Sequence, residues 1–375
     1  MRSLACASNF VVVTLLLAAC SDSAGSTSNA QAAPAGDAGV DESAFDSGTE
    51  LRVPIPESGR VFVKLNPPAV VAIASDPKGS RDWDVAFESF DVFTNSGVSG
   101  SGQAGAFGPL DAITFIGDTA PATPFLSPDR AGGAFLDWYE YEGPPTHALW
   151  SRYHVLGVKD GARLWKIQIL TYYGQRDRAS IGGLYKIRYA EVSAAGSETT
   201  QELTNIDGTA GGAQASASTP SECLDLGSGA RSMLTPDAAR ASSAWHLCFR
   251  RQSISVNGEA GGPRGAGAVD LDADKTASET IDAIKALTSD SEKSRFDAAS
   301  FASFDGKVLR GDRVVSGFGD AWIDHKASPI KPAYAAWLVA SADGKQKFLL
   351  GFGAFQNATT KSPGTVVMRI KPVKG

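Results

Sequence analysis

The chain has 375 residues, a formal net charge of −6 and a pI near 5.4. This acidic balance excludes the usual nucleic-acid-binding proteins, whose basic surface meets the phosphates. The 40 glycines are scattered between short apolar segments, a pattern typical of all-β folds.

The N-terminus has the features of an export signal. Arg2 precedes the apolar run at residues 10–19, which is too short to cross a bilayer and fits the hydrophobic region of a signal peptide. The letters LAAC that end at Cys20 resemble the lipobox of bacterial lipoproteins. This resemblance implies a signal peptide over residues 1–19, cleavage before Cys20 and a lipid, such as palmitate, on that residue. An ordinary secretory signal is the alternative.

Residues 20–49 are predicted to be a lipidated cysteine followed by a disordered tether. Ser21 after Cys20 resembles Gram-negative lipoproteins that are sorted to the outer membrane. The segment consists mostly of Ser, Ala, Gly, Asp and Thr, with Phe45 as its only aromatic residue, so it cannot bury enough apolar surface to fold. We therefore expect a membrane partner through the N-terminal lipid. Which face of the outer membrane holds the protein stays open.

Two cysteines remain beyond the tether, Cys223 and Cys248. An isolated pair in an exported protein is expected to form a disulfide, here across 25 positions. Such a loop contributes roughly 3 kcal/mol in the chain-entropy picture. Two free buried thiols are the alternative.

An aromatic and glycine-rich stretch occurs twice in the chain. Residues 83–107 read WDVAFESFDVFTNSGVSGSGQAGAF, and residues 245–269 read WHLCFRRQSISVNGEAGGPRGAGAV without a gap between their landmarks. Further landmarks follow in the same order, pairing Trp138 with Trp322, Asp160-Gly161 with Asp343-Gly344, Trp165 with Phe348 and Tyr172 with Phe355. The sequence therefore predicts two tandem antiparallel β-domains, over residues 50–194 and 221–375. Residues 195–220, rich in Gly, Ser, Thr and Ala, are predicted to link them.

The second copy is longer than the first, and the excess is predicted to be helical. It contains TASETIDAIKALTSD, in which Thr276 and Glu279 resemble a capping box. Apolar residues then recur at helical spacing at Ile281, Ile284 and Leu287. We expect a short helical insertion in the second domain.

In the first copy the local patterns indicate strands. Residues 163–173 (RLWKIQILTYY) alternate in polarity, and together with YHVLGV they flank the Asp160-Gly161 turn as a hairpin. Residues 184–192 (LYKIRYAEV) form a further predicted strand. WDVAF is predicted to enter the core with Trp83 as its anchor.

These segments together resemble the HmuY family of bacterial surface lipoproteins. The likeness lies in WDVAF, TNSG and SGQAGAF of residues 83–107, and in WYEYEG, YHVLGVKDGARLWKIQILTYYG and YKIRYAEV of residues 138–192. The second copy is degenerate, since His246 stands at the position of Asp84 and Leu349 at that of Lys166. The resemblance implies an all-β outer-membrane lipoprotein that binds haem through two axial side chains and passes it to an outer-membrane transporter.

Haem ligation requires a nitrogen, sulfur or phenolate donor aimed at the iron. The candidates in the first domain are His147 and His154, with Tyr141 and Tyr153 as phenolate alternatives. Met233 is a weaker thioether candidate. Each has a structural alternative, because a lone strand histidine is commonly a core or surface residue and aromatic side chains populate β-sheets.

No motif predicts an enzyme. The chain has no Gly-x-Ser-x-Gly elbow, His-Glu-x-x-His pair or P-loop, and no spacing that pairs a nucleophile with a base. The spacing of three aspartates resembles the start of a calcium-binding loop, at Asp270, Asp272 and Asp274. Lys275 stands where that loop requires glycine, and Ile281 stands where it requires glutamate. No metal besides haem iron is therefore expected.

We therefore predict a non-catalytic lipoprotein that captures haem or a related tetrapyrrole through its first domain. The second domain is then a structural or partner-binding copy. The alternative is a cell-surface interaction or scaffold protein that keeps the fold without haem and binds another protein or an envelope glycan.

Overall fold

The computed structural model describes residues 45–117, 121, 125–197, 199–211 and 218–373. The predicted signal peptide, Cys20 and most of the predicted tether lie outside these residues. The described part of the chain is all-β, which confirms the predicted fold class. No helix within it is long and apolar enough to span a bilayer.

The chain up to residue 207 contributes these strands in order: β1 (Thr49–Pro54), β2 (Val61–Leu65), β3 (Pro68–Val71), β4 (Val85–Glu88), β5 (Asp91–Thr94), β6 (Gly105–Asp111), β7 (Arg130–Gly132), β8 (Tyr139–Tyr141), β9 (Leu149–Ser151), β10 (Val155–Asp160), β11 (Arg163–Arg176), β12 (Ala179–Ser193), β13 (Gly196–Ser197) and β14 (Gln201–Asp207).

The rest of the chain contributes these strands: β15 (Ser221–Leu224), β16 (Arg231–Leu234), β17 (Leu247–Arg250), β18 (Ser253–Val256), β19 (Gly267–Asp270), β20 (Arg313–Val315), β21 (Ile323–Asp324), β22 (Lys331–Pro332), β23 (Ala335–Ala340), β24 (Lys347–Gln356) and β25 (Thr365–Pro372). The described helices are short: α1 (Ile113–Ile116), α2 (Pro236–Ala241), α3 (Ile281–Lys285) and α4 (Lys293–Ala298).

The predicted hairpin and strand of the first repeat are present. β10 and β11 pair antiparallel from Val155–Gln168 to Asp160–Arg163, and β12 continues the same sheet. Gly161 in the connecting turn has a φ of +59°, a conformation that glycine adopts without a Cβ clash. The local sequence pattern was therefore sufficient to predict these elements.

The predicted tandem arrangement is not confirmed, because the sheets combine strands from both predicted domains. One sheet has the order β1-β25-β24-β23-β6, which joins the start of the first repeat to the end of the second. Another has the order β13-β12-β11-β10-β19, with β14 also paired to β12, and joins the end of the first repeat to the start of the second. Each unit of the fold thus takes one half from each repeat.

We call these two units the terminal lobe (residues 45–127 and 316–373) and the central lobe (residues 133–311). Two buried tryptophans show the exchange of halves directly. Trp138 of the first repeat donates its indole N–H to the carbonyl of Gln252 at 2.8 Å, and Trp322 of the second donates to the carbonyl of Phe90 at 3.0 Å. Gln252 and Phe90 occupy equivalent positions in the repeats. Because the repeats are similar, each half finds a complementary face in either copy.

Each lobe has its own apolar core of buried aromatic and aliphatic side chains. The core of the terminal lobe includes Phe87, Trp337, Phe352 and Met368, and that of the central lobe includes Trp165, Tyr185, Phe249 and Val256. Each lobe also has a smaller four-stranded sheet of its own. The strand order is β3-β2-β4-β5 in the terminal lobe and β16-β15-β17-β18 in the central lobe. The molecule therefore consists of two similar lobes with different chain connectivity.

The chain passes between the lobes twice, and the two crossing strands β7 and β20 pair with each other. A buried aspartate precedes each of them. Asp129 accepts hydrogen bonds from the backbone N–H of Thr94 at 3.0 Å and its hydroxyl at 2.7 Å, and Asp312 accepts from the N–H of Val256 at 3.1 Å. Burial raises the pKa of both carboxyl groups to about 7.

The repeated aromatic and glycine-rich stretch forms the same turn in both lobes. The side-chain amide of Asn95 donates to the carbonyl of Trp83 at 2.8 Å, and that of Asn257 donates to the carbonyl of Trp245 at 2.9 Å. Gly262 lies against this amide, so that a Cβ there would stand 2.2 Å from Oδ1 of Asn257. The repeat is therefore a signature of the fold.

Replacing Gly262 with alanine is expected to destabilise the protein by about 2–3 kcal/mol, because the new methyl group displaces the buried amide of Asn257. The measurement is the midpoint of urea unfolding. Gly117→Ala is the matched control, since the nearest atom to its Cβ would be a carbonyl oxygen at 3.9 Å. Equal shifts in the two variants would contradict this role for the glycine.

Candidate functional site

Two of the predicted haem ligands meet at one corner of the central lobe. Tyr141 ends β8, and its hydroxyl hydrogen-bonds Nδ1 of His147 in the loop that leads to β9. The two rings are stacked, with centroids 5.9 Å apart and planes inclined by 28°. His147 is exposed and has a φ of +51°. We call this pair the Tyr141–His147 corner.

A carboxylate fixes the loop that carries this corner. Glu142 accepts hydrogen bonds from the hydroxyl of Thr146 at 2.7 Å, the indole N–H of Trp150 at 3.0 Å and the amino group of Lys285. The hydrogen bond from Lys285, with those of Thr146 and Trp150, lowers the pKa of Glu142 to about 2. Lys285 belongs to α3, so the helical insertion also fixes the loop that carries the corner.

His154 has a different environment and offers no free nitrogen to iron. It is buried, with Nδ1 2.7 Å from a carboxylate oxygen of Asp270 and Nε2 3.0 Å from one of Glu279. Burial lowers the pKa of His154, but the hydrogen bonds and charges of Asp270 and Glu279 outweigh it and leave the pKa above its ordinary value. The arrangement does not support His154 as a haem ligand.

Tyr153 and Met233 are also poorly placed as iron donors. Tyr153 is half-buried, and burial raises the pKa of its hydroxyl, which disfavours the phenolate form. Met233 lies on β16 and is 55% exposed. Of the predicted ligands, only Tyr141 and His147 therefore form a joint donor group.

The helical insertion covers the outer face of the central sheet. The amino group of Lys166 donates to the carbonyl of Ala299 at 2.8 Å, and the guanidinium of Arg188 donates to the carbonyl of Ser289 at 2.8 Å. The ring of Phe296 lies 4.7 Å from the Lys166 amino group. The insertion therefore supplies backbone carbonyls as hydrogen-bond partners for two cations that it covers.

The insertion is helical as predicted, but its predicted capping box is wrong. Thr280, and not Thr276, caps α3 by accepting from the N–H of Ala283. The carboxylate of Glu279 instead accepts from the guanidinium of Arg152 at 2.8 Å and contacts His154. These tertiary partners are distant in sequence, and no local signal indicates them.

The predicted disulfide is present between Cys223 and Cys248. The two cysteines face each other across β15 and β17, next to the buried Trp245. The disulfide thus joins two neighbouring strands in the four-stranded sheet of the central lobe.

Two open grooves lie away from the predicted haem ligands, none of which lines them. One, of about 380 Å³, is lined largely by glycines beside Lys159 and Glu259. The other, of about 350 Å³, lies beside Pro54, Ile55 and Gln356. The donor chemistry of the Tyr141–His147 corner fits one axial position of haem, whereas neither groove supplies an apolar slot around it.

Neither a protein-family model nor a curated protein sequence matches this chain. The resemblance to the HmuY family accordingly depends on the residues quoted above.

Proposed function

We propose that the protein captures haem, or a related ferric tetrapyrrole, at the Tyr141–His147 corner and performs no catalysis. The observation that supports this proposal is the hydrogen bond between the Tyr141 hydroxyl and Nδ1 of His147. A phenolate oxygen is an established donor to haem iron. The neighbouring imidazole can hold the proton that the phenol loses at Nδ1.

The residues around the corner have supporting roles in this proposal. Glu142 fixes the loop through Thr146, which keeps His147 next to Tyr141. Trp150 donates its indole N–H to the same carboxylate, and the amino group of Lys285 lies 5.6 Å from the centre of its ring, so Trp150 also stabilises the loop. Haem bound here would supply the iron that the phenolate ligates.

The location and partners of the protein are part of the same proposal. A lipid on Cys20 anchors the chain in the outer membrane, and an outer-membrane transporter receives the captured ligand. Both features follow from the resemblances to bacterial lipoproteins and to the HmuY family.

A haemin titration of residues 21–375, followed at the Soret band, tests the proposal. We expect a saturable Soret shift, weakened at least about tenfold by Tyr141→Phe and to a smaller degree by His147→Ala. His325→Ala is the matched control, because this histidine is exposed in the equivalent region of the terminal lobe. Weakening by the control to the same degree, or no Soret shift at all, would contradict the proposal.

The second candidate is a cell-surface interaction or scaffold protein that binds another protein or an envelope glycan. The observation that favours it is the absence of Tyr141, His147 and His154 from both grooves described above. A wild-type protein that leaves the Soret band unchanged would favour this second function.

A further inference from the structure

Three bulky apolar side chains of the terminal lobe are exposed, two on α1 and one beside Leu126. Ile113 and Ile116 of α1 are 67% and 48% exposed, and Phe125 is 46% exposed. α1 and Leu126, next to Phe125, pack against the same small apolar cluster, which also includes Phe45. We call Ile113, Ile116 and Phe125 the apolar surface of the terminal lobe.

The N-terminal segment enters the described structure beside this surface. Phe45 is buried, and its ring packs edge-on against that of Phe115, between the two exposed isoleucines, with centroids 5.2 Å apart. The chain between Cys20 and Phe45 has 24 residues, which corresponds to an end-to-end distance of roughly 27 Å for a flexible coil. A lipid on Cys20 would therefore hold this side of the protein close to the bilayer.

We propose that the apolar surface of the terminal lobe docks on the bilayer that holds the N-terminal lipid, an inference that depends on the lipid anchor of the proposed function. Tethering raises the effective concentration of the surface at the bilayer to the order of millimolar. Weak insertion of a few side chains is then sufficient for docking. Docking orients the terminal lobe towards the lipid.

The chemistry around the surface suits a lipid interface. The amino group of Lys371 donates to the carbonyls of Phe115 and Ile116, which places a cation near the level of anionic headgroups. Asp111 caps the N–H of Ile113, so one charge of each sign lies beside α1. The sequence between Cys20 and Phe45 contains no aromatic residue and only Val40 as a branched aliphatic residue. It is therefore less suited than a bilayer to cover the apolar surface of the terminal lobe.

The test uses the full-length lipidated protein in vesicles of phosphatidylethanolamine and phosphatidylglycerol. Ile113→Cys is labelled with the environment-sensitive fluorophore NBD, and Val308→Cys, at a 74% exposed position of the central lobe, is the matched control. Cys223 and Cys248 do not compete for the label, because they form a disulfide. Near-UV circular dichroism checks that both labelled proteins are folded.

Spin-labelled acyl chains are expected to quench the label at position 113 at least about twofold and to leave that at position 308 nearly unchanged. Flotation of the protein with the vesicles but equal quenching at both positions would overturn docking and leave the anchor intact. Failure to float would overturn both docking and the proposed anchor. A blue-shifted, concentration-dependent emission at position 113 in detergent would assign the surface to a second copy of the chain instead.

Discussion

Replacing Trp322 with alanine is expected to unfold the terminal lobe while the central lobe keeps its hydrogen-exchange protection. Trp322 is fully buried and packs against Phe87 and Phe352, with ring centroids 6.1 Å and 5.1 Å away. Its removal should lower the free energy of unfolding by about 3–5 kcal/mol, because it leaves a cavity and the carbonyl of Phe90 loses the indole N–H that it accepts from. Hydrogen–deuterium exchange of peptides is the measurement, and those from β4, β5, β24 and β25 should exchange faster.

Trp138→Ala is the reciprocal variant and tests the exchange of halves from the other side. Trp138 packs against Tyr185 of the central lobe, with ring centroids 5.5 Å apart. Peptides from β11, β12 and β17 should therefore lose protection, although β17 belongs to the second repeat. Two independent tandem domains would give another result, with faster exchange confined to residues 221–375 in Trp322→Ala and to residues 50–194 in Trp138→Ala.

Asp129 and Asp312 are expected to lower the stability of the protein as the pH rises from about 4 to above 7. Burial raises the pKa of both to about 7 from an ordinary 3.8. In this window the folded state retains protons that the unfolded state has released, so the free energy of unfolding decreases with pH. Each carboxyl contributes up to about 4 kcal/mol to this loss, which is complete once both states are ionised.

The double variant Asp129→Asn, Asp312→Asn should flatten this dependence, because the amide resembles the protonated acid. Urea unfolding at pH 5 and pH 8 measures the effect. Asp274→Asn, at an exposed position, is the control for losing a charge. The nearby charges are Arg60 at Asp129 and Arg130 and Glu259 at Asp312, and all of them remain in the variant. A double variant with the pH dependence of the wild type would contradict this origin.

The elements set by local sequence were predictable, and the long-range partners were not. The strands of the β10–β11 hairpin are adjacent in the chain, and their local pattern indicated them. Tyr141 and His147 were predicted only as separate candidate ligands, and their contact was not predicted. His154, by contrast, meets carboxylates 116 and 125 positions away. The sequence also did not predict that halves of the two repeats combine in each lobe, because two similar repeats present nearly the same complementary faces.

The burial of Asp129 and Asp312 could not be predicted from the local sequence either. Asp129 follows a proline and Asp312 a glycine, which is typical of an exposed turn. Both are buried where they accept hydrogen bonds from the backbone of Thr94 and Val256, which lie 35 and 56 positions away in the sequence.

The connectivity of the two lobes sets the order in which they can form during synthesis. A chain that emerges N-terminus first delivers β1 and β6 long before β23 to β25, which lie between them in the terminal sheet. The central lobe consists of one continuous segment, residues 133–311, so all its strands have been made before β23 to β25. β1 and β6 therefore wait for the last strands, and a protein truncated before β23 would leave these two strands without their partners in the terminal sheet, open to chaperones and proteases.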